Sequence, residues 1–214
     1  MRAIVLPVKS LDGSKTRLGP MLSPLERAAL TLAMLEDVMD ATLMIAGWET
    51  WVISPDEAVL EVAIRRGARG IREEKPPLGN AIRQVEEEAT ELGVEVLAVL
   101  LADTPLVTAA AITAALHTLG PVVLAPSHDG VGTNLLLRRP PSAIAARFGS
   151  DSYRRHLEAA ASADLPSAII DVPELAFDLD LPGDILTVLD ARRRGRTREV
   201  CVELDLRDRV AART

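Results

Sequence analysis

The regular alternation of short apolar segments with helical segments limits the possible folds of this chain more than any other feature. The stretch VEVLAVLLAD at 94–103 is apolar almost throughout, which is typical of a strand buried on both faces. Segments 2–8 and 48–54 have the same character, and PVVLAPS follows later in the chain. Strands that alternate with helices predict a parallel, doubly wound sheet with helices on both faces.

The segments between these strands carry helix boundary signals. In SPLERAALTLAMLEDVMD, Ser23 is a candidate N-cap, Pro24 occupies the first helical position and Glu26 completes a capping box. Apolar residues then recur with helical spacing as far as Met39. Further helices are expected in PDEAVLEVAIRRG, which Gly67 would close, and in LGNAIRQVEEEATELG and TAAAITAALHTLG.

The rhythm changes from Asp129 onwards. TNLLLRR and SAIIDV are expected to be strands, whereas SDSYRRHLEAAASA and PGDILTVLDARRR are expected to be helices. The tail EVCVELDL alternates like a strand, although its place in the fold does not follow from the pattern. We therefore expect one α/β domain over 1–214 with a mixed, mostly parallel sheet.

The charge balance points to a small ligand. The chain of 214 residues has a formal net charge of −7, which argues against a broad basic surface for nucleic acid. Aromatic residues make up only 2% of the chain, so stacking platforms for single-stranded nucleic acid are not expected either. The basic residues near the start of the chain form a local loop, and such a loop on an acidic protein suits a small anion better than a long polyanion.

Cysteine and histidine are too scarce for several kinds of site. Cys201 is the single cysteine, so neither an intrachain disulfide nor a cysteine-based zinc site is expected. The three histidines lie far apart in the sequence, which argues against a histidine metal cluster. Neither a leader segment nor an apolar run of membrane-spanning length is apparent, so we expect a soluble cytoplasmic protein that contacts no membrane.

The loop LPVKSLDGSKTRL, which follows the first strand, is a candidate phosphate-binding loop. Gly13 and Ser14 let backbone N–H groups approach phosphate oxygens, and Lys9, Lys15 and Arg17 supply positive charge. The loop is not a P-loop, because Ser14 stands where that motif needs a glycine directly before the lysine. A solvated basic loop is the alternative.

Aspartates follow two later segments. Asp103 comes after the apolar strand at 94–103, where it is either a helix cap or a Mg²⁺ ligand. In FDLDLPGDI, Asp178 and Asp180 would point to the same face if the segment is extended, and either is a candidate second metal ligand. Asp184 would lie in the first turn of the next helix, where it complements the helix dipole.

A third patch joins DGVGTNLLLRR and FGSDSYRRH. The pair Gly130 and Gly132 hints at a dinucleotide fingerprint, but no helix follows and the third glycine is missing, so we reject that interpretation. Thr133, Gly149 and Ser152 offer hydroxyls and backbone donors that suit a small anionic ligand. Two ordinary turns and a helix N-terminus are the alternative.

Taken in order, PVK…SKTRL, ADTPLV, DGVGTN, FGSDSYRRH and DLDLPGD resemble the CofC-type guanylyltransferases of deazaflavin coenzyme F-420 biosynthesis. The resemblance covers residues 4–190 and is specific only as a joint set, above all in GTN and FGxxSxxxH. It implies a three-layer, Rossmann-like nucleotidyltransferase fold, also called the nucleotide-diphospho-sugar transferase fold. It also implies Mg²⁺-dependent transfer of GMP from GTP to phosphoenolpyruvate or 2-phospho-L-lactate, or in some members 3-phosphoglycerate, with release of pyrophosphate.

The resemblance also implies roles for individual residues. Asp103, with Asp178 or Asp180, would bind Mg²⁺, and Lys15 and Asp103 would be catalytic. The residues implied at the nucleotide are Lys9, Gly13, Ser14, Lys15, Arg17, Gly79 and Asn80. The residues implied at the phosphorylated acid are Thr133, Gly149 and Ser152. The chain departs from the family's common ADLP at Thr104, but it keeps the aspartate.

The implied chemistry is consistent with the residue content. A phosphomonoester has its second pKa near ~6, so the attacking phosphate is mostly a dianion at neutral pH and needs no general base. The obstacle is repulsion between anions, which for two unit charges ~4 Å apart is about 4 kcal/mol at an effective dielectric constant of 20. A cation at Asp103 together with the basic loop would offset this repulsion.

Three other functions fit parts of the pattern. A nucleotidyltransferase for a sugar phosphate, a cytidylyl acceptor or molybdopterin would use the same carboxylates. A glycosyltransferase would prefer a paired D-x-D motif, which Asp103-Thr104-Pro105 does not supply. A nucleotide-binding module without turnover is the remaining alternative. The sequence leaves open the choice of acid, the selection of guanine and the oligomeric state, for which a homodimer is one possibility.

Overall fold

A seven-stranded sheet forms the centre of the computed structural model, which describes residues 1–74 and 76–212. Its strands are β1 (Arg2–Pro7), β2 (Glu49–Ser54), β3 (Arg69–Arg72), β4 (Val96–Leu100), β5 (Val122–Pro126), β6 (Thr133–Arg138) and β7 (Ser167–Ile169). Across the sheet the order is β3-β2-β1-β4-β6-β5-β7. All neighbours are parallel except β6, which runs antiparallel to β4 and β5. The predicted mixed, mostly parallel sheet is confirmed.

Helices cover both faces of this sheet. They are α1 (Pro24–Thr42), α2 (Glu57–Arg65), α3 (Leu78–Glu91), α4 (Ala109–His117), α5 (Ser152–Ser162), α6 (Pro173–Ala176), α7 (Pro182–Asp190), α8 (Arg196–Glu203) and α9 (Leu206–Ala211). The predicted capping box is present, since the Ser23 hydroxyl accepts from the Glu26 N–H and the Glu26 carboxylate accepts from the Ser23 N–H.

Two apolar interfaces make the architecture three-layered. On one face, side chains of α1, α2, α4 and α6 pack with the strands around Leu6, Leu100 and Leu135. On the other face, α3 packs against β1 and β2, and α5 packs against β5 and β6. Val5 and Val99 are fully buried within the sheet, as the continuous apolar runs predict for strands covered on both sides.

The end of the chain does not form the strand that its alternation suggested. EVCVELDL belongs to α8 and to the start of α9, which pack against α1 and α7. Val200 and Cys201 of α8 and Leu206 of α9 are the buried members of this stretch. The expectation was wrong because an alternating pattern of only eight residues also contains i, i+1 pairs that a packed helix can bury.

The parallel pairing of β1 with β4 places the two loops of interest at one edge. β4 ends at Leu100, so Asp103 lies in the turn beyond the strand rather than at its last position. Both the basic loop after β1 and the turn after β4 leave the carboxyl edge of the sheet, where ligands bind in open α/β folds. Within residues 1–74 and 76–212, none of the helices has the length and apolarity needed to cross a membrane.

Candidate active site at the carboxyl edge of the sheet

The basic loop folds into two short 3₁₀ turns, Leu11–Gly13 and Thr16–Leu18. Lys15 lies between them in the left-handed conformation, with φ 45° and ψ 45°. The N–H groups of Gly13 and Ser14 donate to carbonyls inside the loop, so these two amides are already engaged. We therefore expect this loop to contact phosphate mainly through its side chains.

Side chains of helix α1 hydrogen-bond to the basic loop. The Arg27 guanidinium donates to the carbonyl oxygen of Ser14 at 3.1 Å and to that of Leu22 at 3.0 Å. The Thr31 hydroxyl lies 2.9 Å from the Ser14 hydroxyl, which donates to the carbonyl of Leu11 at 2.7 Å. This network fixes the backbone on which Lys15 stands, although the sequence pattern gave no sign of it.

Lys15 joins two of the predicted metal ligands. Its Nζ lies 2.8 Å from Asp103 Oδ2 and 2.8 Å from Asp180 Oδ1, while the side chain is only 8% exposed. Burial by itself lowers the pKa of Lys15, but the two carboxylates more than offset burial and raise it. The ammonium is therefore charged at neutral pH. Because both carboxylate oxygens contact the same nitrogen at 2.8 Å, Asp103 and Asp180 lie close to each other.

The segment that carries Asp178 and Asp180 is attached directly to the turn after β4. The Leu179 N–H donates to the carbonyl oxygen of Asp103 at 3.0 Å, and the Leu179 side chain is fully buried. Asp184 accepts from the N–H groups of Asp180 and Leu181, which confirms its predicted role at the start of α7. Anchored in this way, both aspartates stay close to Asp103.

The environments of Asp178 and Asp180 differ. Burial opposes ionisation of Asp180, but Lys15 and Arg17 outweigh it and lower the pKa of that carboxyl. Arg17 Nη1 lies 3.1 Å from Asp180 Oδ2. The pKa of Asp178 is raised, first by burial and then by the charge of Asp103, even though the Asn134 amide donates to Asp178 at 3.3 Å.

The three aspartates do not form a complete metal cage by themselves. Among residues 1–74 and 76–212, no group of three or more His, Cys, Asp or Glu side chains is arranged to hold a metal ion. Mg²⁺, however, is usually bound by one or two carboxylates together with water and substrate phosphates. Asp103 Oδ1 is buried and has no hydrogen-bond partner in the described chain, so an oxygen that suits a hard cation is available.

A cleft of about 330 Å³ opens beside this cluster. Lys9, Gly13, Ser14, Lys15 and Arg17 line it together with Asp103, Asp180 and Leu78. Its volume is in the range that small-molecule ligands occupy. The structure thus brings the predicted triphosphate loop and two of the predicted metal ligands to one cavity.

The start of α3 forms another border of the cleft, through Leu78. Gly79 and Asn80 follow it in the first turn of this helix. The Asn80 amide donates to the carbonyl oxygen of Pro76 at 2.8 Å, which stabilises the turn before the helix. A Cβ at Gly79 would meet no atom within 4 Å. Nucleotide contact by Gly79 and Asn80 stays a prediction.

A β-bulge divides the GTN motif between the two faces of the sheet. Pro126 pairs with Thr133 and Ala125 pairs with Leu135, so Asn134 is an extra residue in β6. Thr133 therefore faces α5, whereas the Asn134 amide donates to the carbonyls of Leu175 and Ala176 on the opposite face. Bulges re-aim side chains in this way beside functional sites.

The predicted acid-binding residues gather at the α5 side of the bulge. The Thr133 hydroxyl lies 3.0 Å from His156 Nδ1, and His156 is fully buried. Ser152 lies one helical turn before His156 on the same face of α5 and is 2% exposed. Gly149 adopts φ +110°, and its carbonyl accepts from the Ser152 N–H at 3.2 Å. Thr133 and Ser152 thus each lie next to His156, in space and along α5 respectively, and Gly149 contacts Ser152. Binding of the acid by these three residues stays a prediction.

The sequence assigned no individual role to two groups at the site, although Asn134 belongs to the GTN motif and His156 to FGxxSxxxH. Asn134 connects the acid patch to Asp178, and His156 connects Thr133 to the loop before α5, where it accepts from the Arg147 N–H at 2.8 Å. Only the motif FGxxSxxxH contained a signal for His156, because Ser152 and His156 four residues apart share one helix face.

Comparison with known proteins finds one family and several similar chains. The family model described as "Guanylyl transferase CofC like" matches residues 1–207. A phosphoenolpyruvate guanylyltransferase of Rubrobacter xylanophilus is 41% identical, covering 85% of this chain and 90% of its own. A 3-phospho-D-glycerate guanylyltransferase of Phenylobacterium zucineum is 36% identical over 98% of this chain and 100% of its own. A 2-phospho-L-lactate guanylyltransferase of Methanocaldococcus vulcanius is 30% identical, at 95% and 91% coverage.

Solved structures support the fold. A chain from Desulfovibrio desulfuricans G20, described as a nucleotide-diphospho-sugar transferase, aligns with a TM-score of 0.77 at 19% identity, covering 99% of this chain and 98% of its own. A nucleotidyl transferase from Methanothermobacter thermautotrophicus aligns with a TM-score of 0.64 at 16% identity, at 89% and 96% coverage. The expected nucleotide-diphospho-sugar transferase fold is confirmed.

Proposed function

The chain belongs to the family of CofC-like guanylyl transferases, and from this membership we propose that it transfers GMP from GTP to the phosphate of a small phosphorylated carboxylic acid. Pyrophosphate is the second product. The class of enzyme, a nucleotidyltransferase, follows from the family. The acceptor, the metal and the roles of individual residues are proposals.

One observation carries the proposal most directly. The ammonium of Lys15 lies between Asp103 and Asp180, inside a cleft that the other cations of the basic loop also line. Such a combination of fixed positive charge and paired carboxylates is what joining two anions requires. A pocket for a neutral ligand would not need it.

The residues of the chain would divide the work between two subsites. Lys9, Lys15 and Arg17 would bind the triphosphate and lower the repulsion that the incoming phosphate meets. Thr133, Gly149 and Ser152 would orient the acid so that a phosphate oxygen faces the α-phosphorus of GTP. The attacking oxygen is already deprotonated at neutral pH, so no base is required of the chain.

We propose Mg²⁺ as the cofactor, held by Asp103 with Asp178 or Asp180. The fit rests on the buried, unpartnered Asp103 Oδ1 and on the closeness of the carboxylates. When bound, the ion would supply charge neutralisation on the phosphate oxygens and on the departing pyrophosphate. Lys15 would then exchange part of its contact with the aspartates for contact with phosphate.

Phosphoenolpyruvate is our first expectation for the acceptor, because the relative at 41% identity is described as acting on it. 2-Phospho-L-lactate and 3-phosphoglycerate are the other candidates, since relatives described by those substrates cover most of the chain. With either of the first two acids, the product would be an intermediate of coenzyme F-420 biosynthesis, the setting that the family resemblance implies. A homodimer stays a prediction.

One experiment tests the proposal. The purified protein is incubated with GTP, Mg²⁺ and each of the three acids in turn, and pyrophosphate release and product mass are measured. We expect the mass of a guanosine diphosphate-linked acid with at least one acceptor, and none when the acid or the GTP is omitted. Replacement of GTP by CTP or ATP is the nucleotide control. Absence of product with all three acids would refute the proposed function.

A further inference from the structure

His156 is a buried histidine whose two ring nitrogens are both engaged. Nε2 lies 2.8 Å from the backbone nitrogen of Arg147, and Nδ1 lies 3.0 Å from the Thr133 hydroxyl oxygen. The side chain is fully buried, and the Phe148 ring packs edge-on against it at 5.1 Å between centroids. The imidazole thus connects β6 to the loop that precedes α5.

The backbone contact decides which nitrogen of the ring carries the proton. The Arg147 N–H can only donate, so Nε2 must accept and carries no hydrogen. Burial, together with the positive charges of Arg138, Arg155 and Arg147, lowers the pKa of His156 to about 4. The ring is therefore neutral at pH 7, and its single proton resides on Nδ1.

The state of His156 in turn determines what the Thr133 hydroxyl can do. Because Nδ1–H donates, the Thr133 oxygen acts as the acceptor in this hydrogen bond. The hydroxyl hydrogen of Thr133 then needs another acceptor, and residues 1–74 and 76–212 supply none. Thr133 is 1% exposed, so its unused donor is held in a buried position. A buried donor without a partner is costly unless a ligand accepts it.

We infer that His156 is a positioning residue, which makes the Thr133 hydroxyl a dedicated donor to an anionic oxygen of the phosphorylated acid. This inference rests on the proposed function, since it assigns Thr133 to the acid subsite. His156 itself does not touch the substrate. It acts by donating a hydrogen bond to the Thr133 hydroxyl oxygen, so the hydroxyl proton is free to be donated to the acid.

The tautomer can be tested without any turnover. Long-range ¹H–¹⁵N correlation of the imidazole nitrogens at pH 7 distinguishes the two neutral forms and the cation. The chain has three histidines, and the signals of His156 are those missing from the spectrum of His156→Gln. We expect a protonated Nδ1 and an unprotonated Nε2. A proton on Nε2 or a charged ring would overturn the inference, whatever the enzyme's activity.

Two substitutions separate the functions of the two nitrogens. Asn at position 156 can place an amide N–H near the position of Nδ1, whereas Gln can place its carbonyl oxygen near that of Nε2. We expect His156→Gln, which loses the donor to Thr133, to raise the KM for the acid about tenfold. The KM for GTP should stay at its wild-type value. His156→Asn should recover much of the affinity for the acid.

A double-mutant cycle with Thr133→Val completes the test. If His156 acts through the Thr133 hydroxyl, Thr133→Val and the double variant with His156→Gln should show the same KM for the acid. The control His117→Gln makes the same change at an exposed position at the end of α4 and should leave both KM values unchanged. Independent, additive effects would mean that His156 is only structural. A wild-type protein inactive with all acids refutes the proposed function instead, and the tautomer measurement still stands.

Discussion

Asp103 occupies a position where one carboxylate has two different tasks. Its Oδ2 accepts from Lys15, while its Oδ1 is buried and has no partner in the described chain. A neutral amide at this position could still accept a hydrogen bond from the ammonium. It could not supply the negative charge that draws a divalent cation to the site. The two tasks can therefore be separated by a single substitution.

We expect Asp103→Asn to lower kcat by about 10²–10³, the range seen when a fixed electrostatic group is lost from an active site. Binding of GTP without metal should change much less, because Lys15 and Arg17 remain. Initial rates of pyrophosphate release and GTP titrations with and without Mg²⁺ give the two quantities. Asp12→Asn removes the same charge from an exposed position in the basic loop and serves as the control. Wild-type turnover by Asp103→Asn would exclude Asp103 from the site.

His156 also predicts a pH dependence of stability. Its pKa is about 4 in the folded protein and 6.5 in the reference state, so the unfolded chain binds more protons between these values. The stabilising contribution is fully present above pH 6.5 and is lost as the pH falls towards 4. The shift corresponds to about 3 kcal/mol. Urea unfolding at pH 7, 6, 5 and 4.5 should therefore show a steeper loss of stability in the wild type than in His156→Asn. Parallel curves would contradict this prediction.

At the level of elements, one buried carboxylate connects α1 to the first turn of α8, beside the apolar packing of the two helices. Asp37 is 3% exposed, and its two oxygens accept from the N–H groups of Arg196 and Thr197 at 2.7 and 2.9 Å. These are amides of the first turn of α8, which lack partners within the helix. A Cβ at Gly195 would lie 2.4 Å from Asp37 Oδ1, so this close approach requires glycine.

We expect Asp37→Ala to lower the free energy of unfolding by about 2 kcal/mol, at the upper end for loss of an N-cap, because the two amides would be left buried. Asp40→Ala lies one turn further along α1 and is the control, since its side chain is 57% exposed and its ion pair with Arg66 is at the surface. Urea denaturation of both variants gives the comparison. Equal effects of the two substitutions would show that Asp37 does not act as a cap.

The sequence predicted the elements better where the signal was local. The buried runs of β1 and β4 and the Ser23 capping box are properties of neighbouring residues, and the structure confirms them. The helical tail was missed because eight alternating residues do not distinguish a strand from a packed helix, and its contact with Asp37, about 160 positions away, is not visible in the local pattern. The bulge at Asn134 was missed for a similar reason, since it exists only in the pairing of β6 with β5.

The candidate site shows the same contrast between local signals, which the sequence contains, and contacts between distant residues, which it does not. Residue type and strand ends sufficed to select Lys15 and Asp103 as candidates, and they left Asp178 and Asp180 as alternatives, because ligands of open α/β sheets bind beyond the carboxyl ends of the strands. The contact of one ammonium with both carboxylates could not be read from the sequence. Nor could the tautomer of His156, since it is set by a backbone N–H of Arg147 nine residues away.

At the scale of the whole molecule, the site exists only when the complete sheet has formed. Lys15 is separated by 88 positions from Asp103 and by 165 positions from Asp180. An unfolded chain cannot hold these groups together, so a ligand that needs all three binds the folded state alone. Binding of that kind raises the stability of the entire fold by mass action rather than that of one loop.

This coupling predicts a thermal shift that depends on metal and nucleotide together. GTP with Mg²⁺ at about 100 times its Kd should add about 2.7 kcal/mol of stability, which for a chain of this size raises Tm by about 5–10 °C. GTP with a chelator should give a smaller shift, because the loop cations alone would hold it. Differential scanning calorimetry of the wild type and Asp103→Asn measures both. If Asp103 binds the metal, the variant should lose the Mg²⁺-dependent part and keep the rest. An identical Mg²⁺-dependent shift in both proteins would place the ion elsewhere, because residues other than Asp103 would then have to bind it.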